Sequence, residues 1–147
     1  MTHDRFLDAA LEEARSGLDE GGIPIGAVLV YGEEIVARGR NRRIQENSSI
    51  RHGEMDALER AGRRSAAFYR ECHLYTTLSP CPMCSDAIRL YGIPRVVVGE
   101  HRNFLGEEAW LRDHGIEVEV RDDTRCIELM RGFIEAHPAL WNEDIGE

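Results

Sequence analysis

Two short runs constrain this chain more than anything else in it: Arg51-His52-Gly53-Glu54 near the middle, and Pro80-Cys81-Pro82-Met83-Cys84 further on. His52 and Glu54 are two residues apart, which in mid-helix would set their side chains roughly 200° apart around the axis. Both can serve one site only where a helix begins, with Gly53 permitting close backbone approach and its amide still free to donate. Cys81 and Cys84 are spaced i, i+3, so on a helix they share a face and can point at a single ion. The macrodipole favours thiolates at a helix N-terminus, and Pro80 suits the entry to that first turn. A fold that uses both runs at one site has to bring two helix entries together.

Each run alone admits blander readings. One Cys-x-x-Cys pair can be two buried apolar residues or a redox pair. A lone histidine is most simply a hydrogen-bonded core residue, and a lone glutamate before "MDALERAG" a first-turn charge that suits the helix dipole. The remaining cysteines, Cys72 and Cys126, read as small buried residues. A fourth ligand from Cys72 or His73 would instead close the site and make it purely structural.

The rest of the chain supplies a framework. Phe6, Leu7, Ala10, Leu11, Ala14 and Leu18 recur near a 3.6-residue period, which predicts an amphipathic first helix from Thr2 to Leu18. "GAVLVYGEEIVARGRN" offers two β-rich runs around Gly32 and reads as a hairpin. "HGEMDALERAG" reads as a helix ending at Gly62. Beyond it "CHLYTTL", "RVVVGE" and "IEVEVR" read as strands, with "CPMCSDAIRLYG" and "EEAWLRDHG" as helices between them. That alternation predicts a parallel sheet portion covered by helices on both faces. "TRCIELMRGFIEAH" is a last helix stopped by Pro138, and "ALWNEDIGE" is a tail that carries Trp141 among acids.

With 147 residues and no linker, residues 1–147 are expected to form a single domain. Eighteen basic against 27 acidic side chains give a formal net charge of -9, which opposes tight binding to a phosphate backbone. The one basic cluster, "RGRNRR", reads as solvated surface. No apolar run approaches the roughly 20 residues of a membrane span, and the start lacks the regions of a secretory signal. A cytoplasmic protein follows as the expectation, its cysteines thiols or metal ligands.

Taken together, the two runs carry a specific chemistry. One neutral imidazole and two thiolates leave a fourth position on zinc for water, whose pKa the metal lowers until hydroxide exists near neutral pH. A neighbouring carboxylate can then move protons from that water to a substrate nitrogen and on to a departing amine. H-x-E followed at a distance by P-C-x-x-C is the signature of zinc nucleobase deaminases.

"RHGEMDALERAG", "LYTTLSPCPMCSDAIRLYGIPRVVVGE", "EGGIPIGAVLV" and "WNEDIGE" together resemble the yeast-type cytosine deaminases, within the zinc-dependent cytidine and deoxycytidylate deaminase superfamily. The resemblance runs over nearly the whole chain. It implies a three-layer α/β/α sandwich around a mixed five-stranded sheet, a homodimer, one Zn2+ per chain, and hydrolytic deamination of a free pyrimidine base, cytosine to uracil plus ammonia. By position it implies His52, Cys81 and Cys84 as zinc ligands and Glu54 as proton shuttle. It implies Asn41 on the lactam edge of the ring, Asp144 accepting from the exocyclic amine, and Ile25, Phe104 and Trp141 as apolar walls. The backbone amides of Gly53 and Cys81 fall where the family donates to the substrate and the reacting centre. The compact loop "HRNFLGEEAW" and the basic flank "RNRRIQENSSI" depart from the family's pattern and bear on the choice of substrate.

Other readings remain open on the same residues. A guanine deaminase, or an enzyme for another small aminated heterocycle, would share the zinc motif. Editing of tRNA adenosine would need a basic docking surface at odds with the net charge, so no nucleic-acid or membrane partner is expected. A zinc-stabilised binding module would need four protein ligands and would have no use for Glu54.

Overall fold

The computed structural model describes residues 4–147, so the expected helix start at Thr2 lies outside the described residues. Helix α1 spans Arg5–Asp19, its N-cap Asp4 accepting from the Phe6 amide, and buries Leu7, Ala10, Leu11 and Ala14 as the periodicity required. Strands β1 (Gly26–Tyr31) and β2 (Glu34–Arg40) form the hairpin, closed by Gly32 at a φ of 61°. Helix α2 (Gly53–Ala61) is followed by a one-turn helix α3 (Ala66–Arg70) and strand β3 (Cys72–Leu78). Then come α4 (Pro82–Tyr91), β4 (Arg95–Glu100), α5 (Glu108–Asp113), β5 (Glu117–Val120), α6 (Thr124–Ala136) and α7 (Pro138–Asp144).

The five strands make one mixed sheet in the order β2-β1-β3-β4-β5. β1 is antiparallel to both β2 and β3, while β3, β4 and β5 are parallel, joined through α4 and α5. The central strands are buried on both faces because alternate side chains enter two different cores. Leu29, Leu74, Val96, Val98 and Val118 pack with Ala57, Ala61, Ile88 and Leu111 of α2, α4 and α5. Val28, Val30, Tyr75 and Val97 pack with Leu7 and Ala9 of α1. Helices therefore cover both faces, and the molecule is the expected α/β/α sandwich.

Two features position the site. Gly39 on β2 lies so close to α2 that a β-carbon there would sit 2.2 Å from the Ala57 nitrogen, which fixes how deeply α2 seats on the sheet. The second feature corrects the reading of "RGRNRR" as solvated surface. Asp56, fully buried on α2, accepts from the Arg40 amide at 2.9 Å, from Arg42 Nε at 2.9 Å and from Arg51 Nε at 2.8 Å, with Arg60 Nε at 3.3 Å. Arg40 also meets Glu13 and Glu20. The basic run is neutralised from within and clamps the end of β2 to the first turn of α2.

The tail differs too. α6 ends at Ala136, just ahead of Pro138 as expected, but Pro138 is also the first residue of a further helix, α7, where a missing N–H costs nothing. Trp141 packs with Ile23, Ile25, Leu78, Met130 and Phe133 in a third cluster between α6, α7 and the loop before β1.

Candidate active site

Both motifs meet beyond the carboxyl end of β3, and each begins a helix. His52 is the N-cap of α2 and Cys81 the N-cap of α4; both have extended backbones, and neither side chain caps its own helix. The imidazole and the thiol are thus free to face each other while Glu54 and Cys84 follow within the first turns. Pro82, one residue past Cys81, holds the first helical position that the sequence reading gave to Pro80. A side chain at residue 53 would press on the Ile25 carbonyl at 3.1 Å, hence the glycine.

Among the described residues, His52, Cys81 and Cys84 form the one group able to hold an ion, with ligand atoms within 4.8 Å of one another. Nδ1 of His52 is 3.4 Å from Sγ of Cys81 and 3.8 Å from Sγ of Cys84. A tetrahedral zinc with N and S ligands separates neighbouring ligand atoms by roughly 3.5 Å, so the donor set fits that metal in kind and spacing. Cys72 and Cys126 are buried elsewhere, and neither they nor His73 joins the group.

The electrostatics follow from this crowding. The bond from Cys84, against the cost of burial, and the bond from His52 lower the Cys81 thiol to about 4. Burial alone would lower His52, but its bond to Cys81 and the charges of Asp144 and Glu54 raise it to about 9. Cys84 is pushed up by its bond to Cys81 and by burial. Glu54, buried beside the thiolate, rises to about 7, first through desolvation and then through the Cys81 charge, with His52 opposing. A carboxyl poised near neutrality is suited to both taking and giving a proton.

The other ring nitrogen of His52 has its own partner. Nε2 lies 3.3 Å from Oδ1 of Asp144, which also accepts from Nδ2 of Asn41 at 2.9 Å; Nε of Arg43 stands 4.0 Å away. Burial raises the Asp144 carboxyl, with His52, Asn41 and Arg43 opposing. With Nε2–H directed at Asp144, the proton His52 gives up to a metal is the one on Nδ1, whose lone pair then faces the site between the sulfurs, the arrangement by which a carboxylate orients a metal-binding histidine. Asn41, fully buried, spends its carbonyl on the Arg43 amide at 3.0 Å and stands behind Asp144.

Around this centre Ile25, Phe104 and Trp141 form the walls together with Leu78, Ser79 and Ile145. The Phe104 and Trp141 rings meet edge to face, centroids 5.9 Å apart. Sequence reasoning missed the last three wall residues, although all lie next to residues it had named: Leu78-Ser79 lead into the cysteine motif and Ile145 follows Asp144. The free space among these side chains is about 10 Å³, room for a single water, so a planar ring enters only if a wall moves.

Comparison with known proteins agrees with this geometry. Residues 1–100 match the family described as the cytidine and deoxycytidylate deaminase zinc-binding region. The chain is 51% identical to the cytosine deaminase of Candida albicans over the whole of both chains. It is 42% identical to the tRNA-specific adenosine deaminase of Bacillus subtilis over 67% of this chain and 63% of that one. A solved tRNA:A34 deaminase superposes with a TM-score of 0.68 at 29% identity, covering 79% of this chain and 96% of that one. A sheet with helices on both faces, a His-Cys-Cys donor set at two helix entries and a match over two-thirds of the sequence lead to one conclusion: the chain belongs to the zinc-binding cytidine and deoxycytidylate deaminase family.

Proposed function

We propose that this protein catalyses the hydrolytic deamination of a free pyrimidine base, cytosine plus water giving uracil plus ammonia. The observation that carries the reading is Glu54, a buried carboxyl that lines the same cavity as His52 and Cys81, beside a three-ligand metal site. His52, Cys81 and Cys84 hold the zinc. When bound, the metal supplies a Lewis acid that makes a water nucleophilic near neutral pH. Glu54 takes one proton from the attacking water and passes it to the ring nitrogen beside the reacting carbon, then takes the second from the hydroxyl now on that carbon and gives it to the amine, which leaves as ammonia while the carbonyl forms. Asp144 accepts from that amine, and Asn41 holds Asp144 and the lactam edge in register. The amides of Gly53 and Cys81, at helix entries where they are not spent within a helix, donate toward the substrate and the reacting centre. Ile25, Phe104 and Trp141 sandwich the ring, and α7 opens for entry and closes to exclude water.

Identity to the Candida albicans cytosine deaminase along the full length, α7 included, supports cytosine over guanine and over tRNA adenosine. The likeness to tRNA-specific enzymes covers only part of the chain, and the net charge of -9 disfavours an RNA surface. The same reading takes residues 1–147 as one deaminase domain working as a homodimer. The outward face of α2 and α4, with Leu90 74% exposed beside Met55 and Tyr91, supports that pairing. A cytoplasmic setting accords with four unpaired cysteines, and no helix among the described residues is long and apolar enough to cross a membrane. The test is ammonia release by zinc-loaded protein from cytosine, substituted cytosines, cytidine, guanine and a tRNA anticodon stem-loop. Cytosine or a substituted cytosine is expected to lead the panel; turnover of guanine or the stem-loop in preference to cytosine would replace the reading.

A further inference from the structure

The segment from His101 to Glu107 passes beside the site and carries Phe104. Two buried carboxylates hold its ends. Glu100, fully buried, accepts from the Asn103 amide at 3.0 Å and its side chain at 2.8 Å. Glu108, 2% exposed, accepts from the Ser79 hydroxyl at 2.6 Å and lies 3.1 Å from Nδ1 of His101. Ser79 in turn lies 2.9 Å from the Gly106 nitrogen, which donates to its oxygen. A hydroxyl has one proton, and the Gly106 amide needs a lone pair, so the proton of Ser79 belongs on Glu108. Next to this link the Glu107 amide donates to the Pro80 carbonyl at 3.0 Å. A β-carbon on Gly106 would fall 1.9 Å from that same oxygen. The strap therefore lies directly on the turn that delivers Cys81.

We propose that Glu108 is a positioning residue for deamination: acting through Ser79, it locks the Gly106 amide and so holds the Phe104 wall against the entry of α4. Glu108 is not among the ligand residues or the cavity walls; it reaches the strap through the Ser79 hydroxyl and through His101, and Arg112 stands 3.8 Å from it. The activity arm of the test rests on the proposed cytosine reaction, and the amide-exchange arm does not.

The experiment compares zinc-loaded wild type, Ser79→Ala, Glu108→Ala, Glu108→Gln and the double alanine variant. It measures hydrogen exchange at the Gly106 amide and kcat and KM for cytosine. Either alanine substitution is expected to speed Gly106 exchange and to raise KM about tenfold while kcat changes less than about threefold, the size of one lost charge-assisted bond that orients a wall. The double variant should be no worse than Glu108→Ala alone, because Ser79 acts only through the link that Glu108→Ala has already broken. Glu108→Gln should stay near wild type, since its amide oxygen still accepts from Ser79. Wild-type exchange at Gly106 in Ser79→Ala, additive losses in the double variant, or Glu108→Gln as impaired as Glu108→Ala would each overturn the proposal. If Glu108→Ala fails to fold, Ser79→Ala and Glu108→Gln decide. A wild type inactive on cytosine would defeat the proposed reaction and leave Gly106 exchange to decide this one.

Discussion

Replacing Asp144 by alanine separates the two duties proposed for one side chain, holding the substrate amine and orienting a metal ligand. Oδ1 of Asp144 receives Asn41 Nδ2 at 2.9 Å and faces His52 Nε2 at 3.3 Å, and the carboxylate side chain is only 2% exposed. Its removal strands two buried donors, each costing about 1 to 3 kcal/mol when left unsatisfied. Part of that cost falls on folding through Asn41. The part on His52 falls on the metal: an imidazole no longer fixed by its Nε2 bond presents Nδ1 to zinc less often, and loss of such a partner lowers metal affinity about 10- to 100-fold. In free energy this is about 1.4 to 2.7 kcal/mol. Chelator competition on the apo protein reads that quantity without any turnover. Asp144→Asn, whose amide oxygen still accepts one hydrogen bond, should fall between wild type and alanine. If Asp144→Ala bound zinc as tightly as wild type, the residue would not orient His52, and only its role toward the amine would stand.

Asp56→Ala should cost about 3 to 5 kcal/mol in urea unfolding, because it leaves Arg40, Arg42 and Arg51 around an empty, buried partner site. Burial raises the Asp56 carboxyl, but the Arg40 amide and the Arg42 and Arg51 guanidiniums outweigh it and hold the pKa below the ordinary value. A depressed folded pKa stabilises the protein above the unfolded value of about 3.9 and loses that stability as the pH falls through the folded one. Acid titration of wild type should thus show a stability loss below about pH 4 that Asp56→Asn lacks; parallel curves would exclude Asp56 as its source. Trp141→Ala, at a site 5% exposed, should lower stability by about 3 to 5 kcal/mol and raise KM for cytosine, read by melting and steady-state rates; an unchanged melting temperature would show α7 to be a passive appendage. Gly39→Ala should displace α2, seen as a lower melting temperature together with weaker zinc binding, because the new methyl meets the Ala57 backbone; wild-type values for both would contradict the fixed seating of α2.

What could be read from the sequence was what short-range chemistry determines. The alternation of strand and helix after Gly62 gave β3, α4, β4, α5 and β5 within a residue or two, since each element carries its own periodicity and stop. The spacing of His52 with Glu54 and of Cys81 with Cys84 demanded helix entries, and both histidine and cysteine motifs lie there. Less could be read where one residue has two uses. Pro138 stops α6 and starts α7 equally well, and α3 is too short for any period to show, its only local signal being the Ser65 cap. The basic run around Arg40 looked solvated because its counter-charge, Asp56, lies 14 to 16 residues away and meets it only once α2 seats on β2. The Ser79–Glu108 link spans 29 residues and leaves no trace in local pattern.

The central claim is that Glu54 moves the protons of a deamination beside a bound zinc. The direct test is ammonia release from cytosine by zinc-loaded wild type and Glu54→Gln, with metal content measured on the same samples. The amide fills the same volume but cannot shuttle protons, so the variant should keep its zinc and its fold while turnover falls by about 10²- to 10⁴-fold. A metal-replete Glu54→Gln that releases ammonia at a near-native rate would contradict the account.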